Sequence, residues 1–278
     1  MKNQPQQSLI LADAHVHIYS CFELSKLLDS AFNNFERVAA EIDNNSSYSA
    51  FLLLTETSKD NYFNYLTTLA KNNPQLSSEL SIETTAENCS LVIRHRNNHL
   101  YLIAGRQIVT AENLEVLALA NNCQIEDGKP IGVAIAETID RGGIPVIPWG
   151  FGKWMGRRGA ILEKLLESHD FPYLFLGDNS GRPNFWSNPQ LFERASQWNL
   201  KILPGSDPLP FASEADRAGS FGFTVTGKID AKTPARSIKQ ILLDSPLKLE
   251  TYGALETPYR FIRNQIAMQI IKRQRLQK

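Results

Sequence analysis

No charge of either sign dominates this chain. Lys plus Arg and Asp plus Glu number 29 each over 278 residues, so there is no global field of the kind that draws a nonspecific polyanion binder to nucleic acid. Nucleic acid is unsupported as a partner. Cysteine is scarce: Cys21, Cys89 and Cys123 are odd in number and form no CxxC pair, which argues against a disulfide framework and against a thiolate zinc site. The expectation is a reducing, cytoplasmic compartment. No apolar run approaches the roughly 20 residues a membrane helix needs, and the opening MKNQPQQS is polar and shorter than a signal peptide. No membrane partner is expected. There is no repeat, no low-complexity linker, no GK[ST] phosphate loop and no GxGxxG in strand-to-helix context.

What the chain does have is 42% hydrophobic residues and a recurring alternation. Apolar runs bounded by turn residues occur at 8–18, 49–57, 90–109 (a hairpin), 113–120, 143–150, 172–179, 200–207 and 220–227; such runs suit parallel strands covered on both faces. Between them, 22–42 repeats Leu27, Ala31, Phe35 and Val38 at helical spacing, and 131–143 ends in the glycines expected after a helix. Strand and helix alternation predicts an α/β fold, and seven or eight strands predict a barrel in one domain over 1–278. A helix over about 258–275, with Ile262, Ile266 and Ile270 on one face and cations on the other, is expected to close it.

In such barrels reactive groups collect at the C-terminal strand ends. Here those ends carry Asp13, His15 and His17; Thr55, Glu56 and Thr57; Arg106 and Gln107; Trp149; Asp178, Asn179 and Arg182; and Ser206 with Asp207. Alternation along a strand puts Asp13, His15 and His17 on one face. Two imidazoles two residues apart can aim at one ion, and a carboxylate from another strand completes a mixed site suited to zinc or manganese. The predicted metal ligands are His15, His17 and Asp207, with Asp178 or Glu56 as a further one. Asp207 would ligate the metal or take a proton from the attacking water. Arg182 would orient a small anionic substrate, with Arg106 and Trp149 also binding it. The run WGFGKWMGRRG, 149–159, reads as a lid or substrate wall. His95 and His99 flank a hairpin tip, and His169 falls at the far end from the expected site.

These residues resemble the PHP (polymerase and histidinol phosphatase) domain. DAHVHI looks like its opening DxHxH, FLLLTET sits where that family ends a strand in TDH, AIAETIDRGGIPVIPWG resembles the segment ending in AHP, and LPGSDPLPF resembles the closing GSDxH. The resemblance runs over about residues 8 to 225. It implies a distorted TIM-like (β/α)7 barrel and a metal-dependent phosphoesterase working through a metal-activated water. His15, His17 and Asp207 match ligand positions directly. Glu56 would replace the Asp of TDH and Thr57 its His, Gln107 stands for a bridging Glu, Glu115 lies near a usual His, Trp149 stands at the His of AHP, and Leu209 replaces the final His. Fewer ions than the family's usual three are therefore expected. Two alternatives stay open: a degenerate barrel that binds a ligand or partner without turnover, and the amidohydrolase superfamily, which shares the first-strand HxH and the last-strand Asp.

Overall fold

The computed structural model describes residues 8–43, 47–186, 188–244 and 248–276. Twelve strands are described: β1 Ser8–Val16, β2 Tyr48–Leu54, β3 Leu80–Thr84, β4 Ser90–His95, β5 Asn98–Ile103, β6 Gly105–Val109, β7 Glu115–Leu119, β8 Ile144–Pro148, β9 Phe175–Asn179, β10 Ile202–Gly205, β11 Gly222–Gly227 and β12 Glu250–Tyr252. The α-helices are α1 Leu24–Ile42, α2 Tyr62–Asn72, α3 Ile131–Asp140, α4 Gly156–Ser168, α5 Gln190–Ala195, α6 Pro234–Leu243 and α7 Pro258–Leu276. The predicted apolar runs all contain strands, and Leu27, Ala31, Phe35 and Val38 are the buried stripe of α1.

The strands do not close into the predicted barrel. They form one sheet of seven, in the order β12-β11-β1-β2-β5-β4-β3, and one of five, β10-β9-β8-β7-β6. Pairing is mixed: β1 is parallel to β2 and antiparallel to β11, while β6, β7 and β8 are successively antiparallel. Between the end of β2 and β6 the pairing shrinks to one isolated parallel bridge, Glu56 with Arg106. Pro204 in β10 has no N–H to give a further strand, a residue that belongs on sheet edges. The sheets instead touch at two seams, each made by a glycine. A Cβ on Gly105 would lie 2.2 Å from the Leu54 carbonyl oxygen, and one on Gly205 would lie 2.3 Å from the His15 nitrogen.

Three apolar cores result. Ile10, Phe51, Ile103, Leu117, Phe175 and Phe223 fill the space between the sheets. α1 and α2 cover the outer face of the larger sheet through Phe32, Phe35, Phe63 and Leu66. α3, α4 and α5 cover the smaller one through Ile135, Leu162 and Leu191. Both sheets are thus buried on both faces, which is why their strands read as continuous apolar runs.

α7 departs from expectation. Ile262, Ile266 and Ile270 are 57%, 58% and 51% exposed, so the apolar stripe faces outward. Phe261 and Asn264 are the buried positions, and the largely polar face with Asn264, Gln265, Met268 and Gln269 closes over a cavity instead. None of the helices among the described residues is long and apolar enough to cross a membrane.

Candidate metal centre

The site begins with an irregularity in β1. Ala12 and Ala14 pack into the core between the sheets, whereas Leu11 and Val16 both pack under α1. Strict alternation would put Leu11 and Val16 on opposite faces. A register shift between Asp13 and Val16 reverses the alternation there. The predicted convergence of Asp13 with the histidines is therefore not formed. Asp13 stays on the Leu11 side, fully buried, where Oδ1 accepts the Ser206 N–H at 2.8 Å and the His15 N–H at 3.2 Å, and Oδ2 accepts the Ser206 hydroxyl at 2.5 Å and the Gly219 N–H at 2.8 Å. Burial outweighs these donors and pushes its carboxyl up to about 7.

Beyond the shift the two imidazoles meet. Their Nε2 atoms are 3.1 Å apart, and Asp207 Oδ1 lies 3.4 Å from the first and 3.5 Å from the second. Asp207 arrives from the end of β10 with a left-handed backbone, φ 47°, and its N–H donates to the His15 carbonyl at 2.7 Å. Burial lowers His15 to about 4; burial, with His15 alongside, lowers His17 to about 3. Both rings are neutral near pH 7, the form in which imidazole ligates. Burial raises Asp207.

The donor set fits a small divalent ion. Bonds of about 2.0–2.1 Å in a tetrahedral arrangement place neighbouring ligand atoms about 3.4 Å apart, close to the three separations here. These three residues are the one such group found among the described residues. Both Nδ1 atoms are buried without a protein partner, so the outer hydrogen bonds that usually fix metal-bound imidazoles are missing. His17 is steadied by stacking on Tyr19, ring centres 5.3 Å apart.

The other predicted site residues are placed elsewhere. Asp178 gives both oxygens to Arg182, at 2.7 Å each, in a buried pair, so neither the carboxylate nor the guanidinium is turned to the centre as predicted. Glu56 Oε1 accepts the first two N–H groups of α2, Tyr62 and, at 3.0 Å, Phe63; it caps a helix rather than joining the histidines. Arg106 is buried, donates Nε to the Ile125 carbonyl at 2.6 Å and is not among the residues lining the cavity beside Asp207. Trp149 does reach the site.

Trp149 and Asp207 line a cavity of about 180 Å³ with Leu209, Glu115, Lys153, Glu214 and Arg217, roofed by α7. Lys153 is ion-paired to Glu115, and the two act with opposite sign on His15. Arg217 bonds Glu256 at 2.6 Å and the Ser180 hydroxyl at 2.6 Å. Glu214, raised by burial, keeps one buried oxygen without a hydrogen bond. Lys153, Glu214 and Arg217 were not legible as site residues. The nearest sequence signal was the Gly- and aromatic-rich run holding Lys153, and the 214/217 spacing, which places both on one side of a 3₁₀ turn over Ala212–Arg217.

No protein-family model and no curated protein matches the sequence. Among solved structures, PsfC from Pseudomonas syringae PB-5123 aligns with a TM-score of 0.53 at 15% identity, over 97% of this chain and 99% of that one. The fold is shared with PsfC. A two-domain protein containing a predicted PHP-like metal-dependent phosphoesterase, from Bacteroides vulgatus ATCC 8482, aligns at 0.46 and 13% identity over 90% of this chain and 66% of its own. The lesion-specific endonuclease Q from Pyrococcus furiosus aligns at 0.48 and 11% over 88% and 59%.

Proposed function

We propose that this protein is a PHP-type metal-dependent hydrolase acting on the phosphoester of a small anionic substrate. The observation that carries the reading is the convergence of His15 Nε2, His17 Nε2 and Asp207 Oδ1 at spacings of 3.1 to 3.5 Å, with Asp207 lining a cavity. A divalent ion bound there lowers the pKa of a water toward neutrality and polarises a phosphoryl oxygen. His15 and His17 would hold the ion as neutral ligands, and Asp207 would ligate it or take the proton of the attacking water. Lys153 and Arg217 are the cations on the cavity wall, paired to Glu115 and Glu256, and would orient a phosphoryl group by sharing those pairs with it. Zinc or manganese suits two imidazoles and a carboxylate better than magnesium does. The cysteine usage supports a cytoplasmic setting.

A second reading is a ligand-binding protein without turnover. It is favoured by Trp149 and Leu209, which line the cavity where the family resemblance calls for histidine ligands.

The test is elemental analysis of the purified protein beside a His15→Ala, His17→Ala double variant, followed by hydrolysis of p-nitrophenyl phosphate and bis(p-nitrophenyl) phosphate with and without chelator. The expected result is about one metal per chain, absent from the variant, with turnover abolished by chelator and restored by zinc or manganese. Metal without turnover of any ester would favour the binding reading. Retention of the metal by the double variant would overturn the hydrolase reading at this site.

A further inference from the structure

A larger cavity of about 590 Å³ adjoins the smaller one that Asp207 lines, and the two share Trp149 and Gly150. That volume lies within the range of small-molecule sites. Its sides are Trp149, Trp154 and Trp186, with Met155 and Leu191. All three rings have defined contacts: Trp154 Nε1 donates to the Pro148 carbonyl at 3.0 Å, and Trp149 meets Trp186 edge to face, centres 5.9 Å apart. Gly156 opens one side, where an added Cβ would meet nothing within 4 Å. Among the described residues no cation lines this cavity, and the one carboxylate that does, Glu163, is ion-paired to Arg194. The charged groups collect in the neighbouring cavity instead: Lys153, paired to Glu115, and Arg217, bonded to Glu256, stand there with Asp207 and Glu214.

Such a division sorts a ligand into two parts, an anion beside the metal centre and an uncharged flat group next door. Rigid indole rings gain most from another ring, by offset or edge contact, and a Met thioether adds to this. We propose that the larger cavity binds a planar aromatic group, and that the anion processed at the metal centre carries one. The second clause rests on the hydrolase reading; the first does not.

Calorimetric titration of the whole chain with 2-naphthol, 2-naphthylphosphonate and methylphosphonate, in chelator-treated and zinc-loaded protein, separates the two. Naphthol is expected to bind with or without zinc, and naphthylphosphonate at least about tenfold more tightly than methylphosphonate. Ala160→Trp, which fills the cavity from an exposed position on α4, and Met155→Glu, at another exposed wall position, are each expected to weaken both aromatic probes about tenfold or more with the melting temperature kept. Aryl and methyl phosphonates binding alike to the wild-type protein, or naphthol binding indifferent to both variants, would overturn the proposal. If zinc fails to strengthen the phosphonate relative to naphthol while the ring effects persist, the metal reading falls and the aromatic site stands.

Discussion

Asp13 and Ser206, 193 residues apart in the chain, are joined twice, backbone N–H to carboxylate at 2.8 Å and hydroxyl to carboxylate at 2.5 Å. The pair clamps the end of β10 to β1, and so decides that the next residue, Asp207, stands over His15 and His17 rather than over another strand. Ser180 extends the clamp by donating to the Ser206 carbonyl at 2.6 Å, and Arg217 in turn bonds Ser180.

Asp13→Ala should therefore act on both stability and metal affinity without Asp13 touching the metal. It leaves the Ser206, Gly219 and His15 N–H groups buried without their acceptor, at a cost of about 3 kcal/mol or more. Urea denaturation of the metal-free protein measures that loss, and a zinc titration of the folded variant should show weakened binding. A variant as stable as wild type would mean the clamp is not formed.

Gly205→Ala tests the seam. The new methyl would sit 2.3 Å from the His15 nitrogen and 2.8 Å from its Cα, and backbone cannot yield as a side-chain tip can. β10 must retreat from β1, carrying Asp207 off the imidazoles. At least about a tenfold loss of zinc affinity is expected, equivalent to about 1.4 kcal/mol, while the far strands β3 and β4 keep their hydrogen-exchange protection.

Asp178→Ala should destabilise the fold by about 3 kcal/mol, because it strands a buried guanidinium, and it should leave metal stoichiometry unchanged. An Asp178→Ala, Arg182→Met double variant should recover part of that loss. Metal lost from an undamaged fold would restore Asp178 to the ligand set.

Acid should test the imidazoles. In the unfolded chain they titrate near 6.5, but in the folded protein His15 is lowered to about 4 and His17 to about 3. Between those values the unfolded state takes up protons that the folded state refuses, so this contribution to stability is complete above 6.5 and is lost as pH falls through 4 and 3. Asp13, raised from 3.8 to about 7, runs the other way: its contribution is complete below 3.8 and lost as pH rises through 7. The histidine part is isolated by comparing chelator-treated wild type with the His15→Ala, His17→Ala variant. Their difference in stability should shift against the wild type on going from pH 6.5 to 4; a constant difference would mean the rings are not buried as neutral groups.

The grouping of His15, His17 and Asp207 was readable because strand ends normally need only turn residues, and these three are chemically costly there. The strands were readable because both sheets are covered on both faces, so burial writes long apolar runs. Closure was not readable. A run of apolar residues is the same in a barrel as in two sheets, and the direction of β6, β7 and β8 leaves no mark on their composition. The stripe Ile262, Ile266, Ile270 misled for a related reason: periodicity reports that a helix has two faces, and neighbouring elements decide which is buried.

Local sequence thus determined the elements, the alternating core of α1 and the residue types able to hold a divalent ion, since these depend on spacings of a few residues. Tertiary structure decided which polar groups meet. The β1 register shift turned Asp13 away from His15 and His17, Arg182 claimed both oxygens of Asp178, the α2 N-terminus claimed Glu56, and Lys153 and Arg217 entered the cavity from distant segments. Asp13, Glu56 and Asp178 each take the donors that packing brings within about 3 Å, and that distance is set by the whole fold.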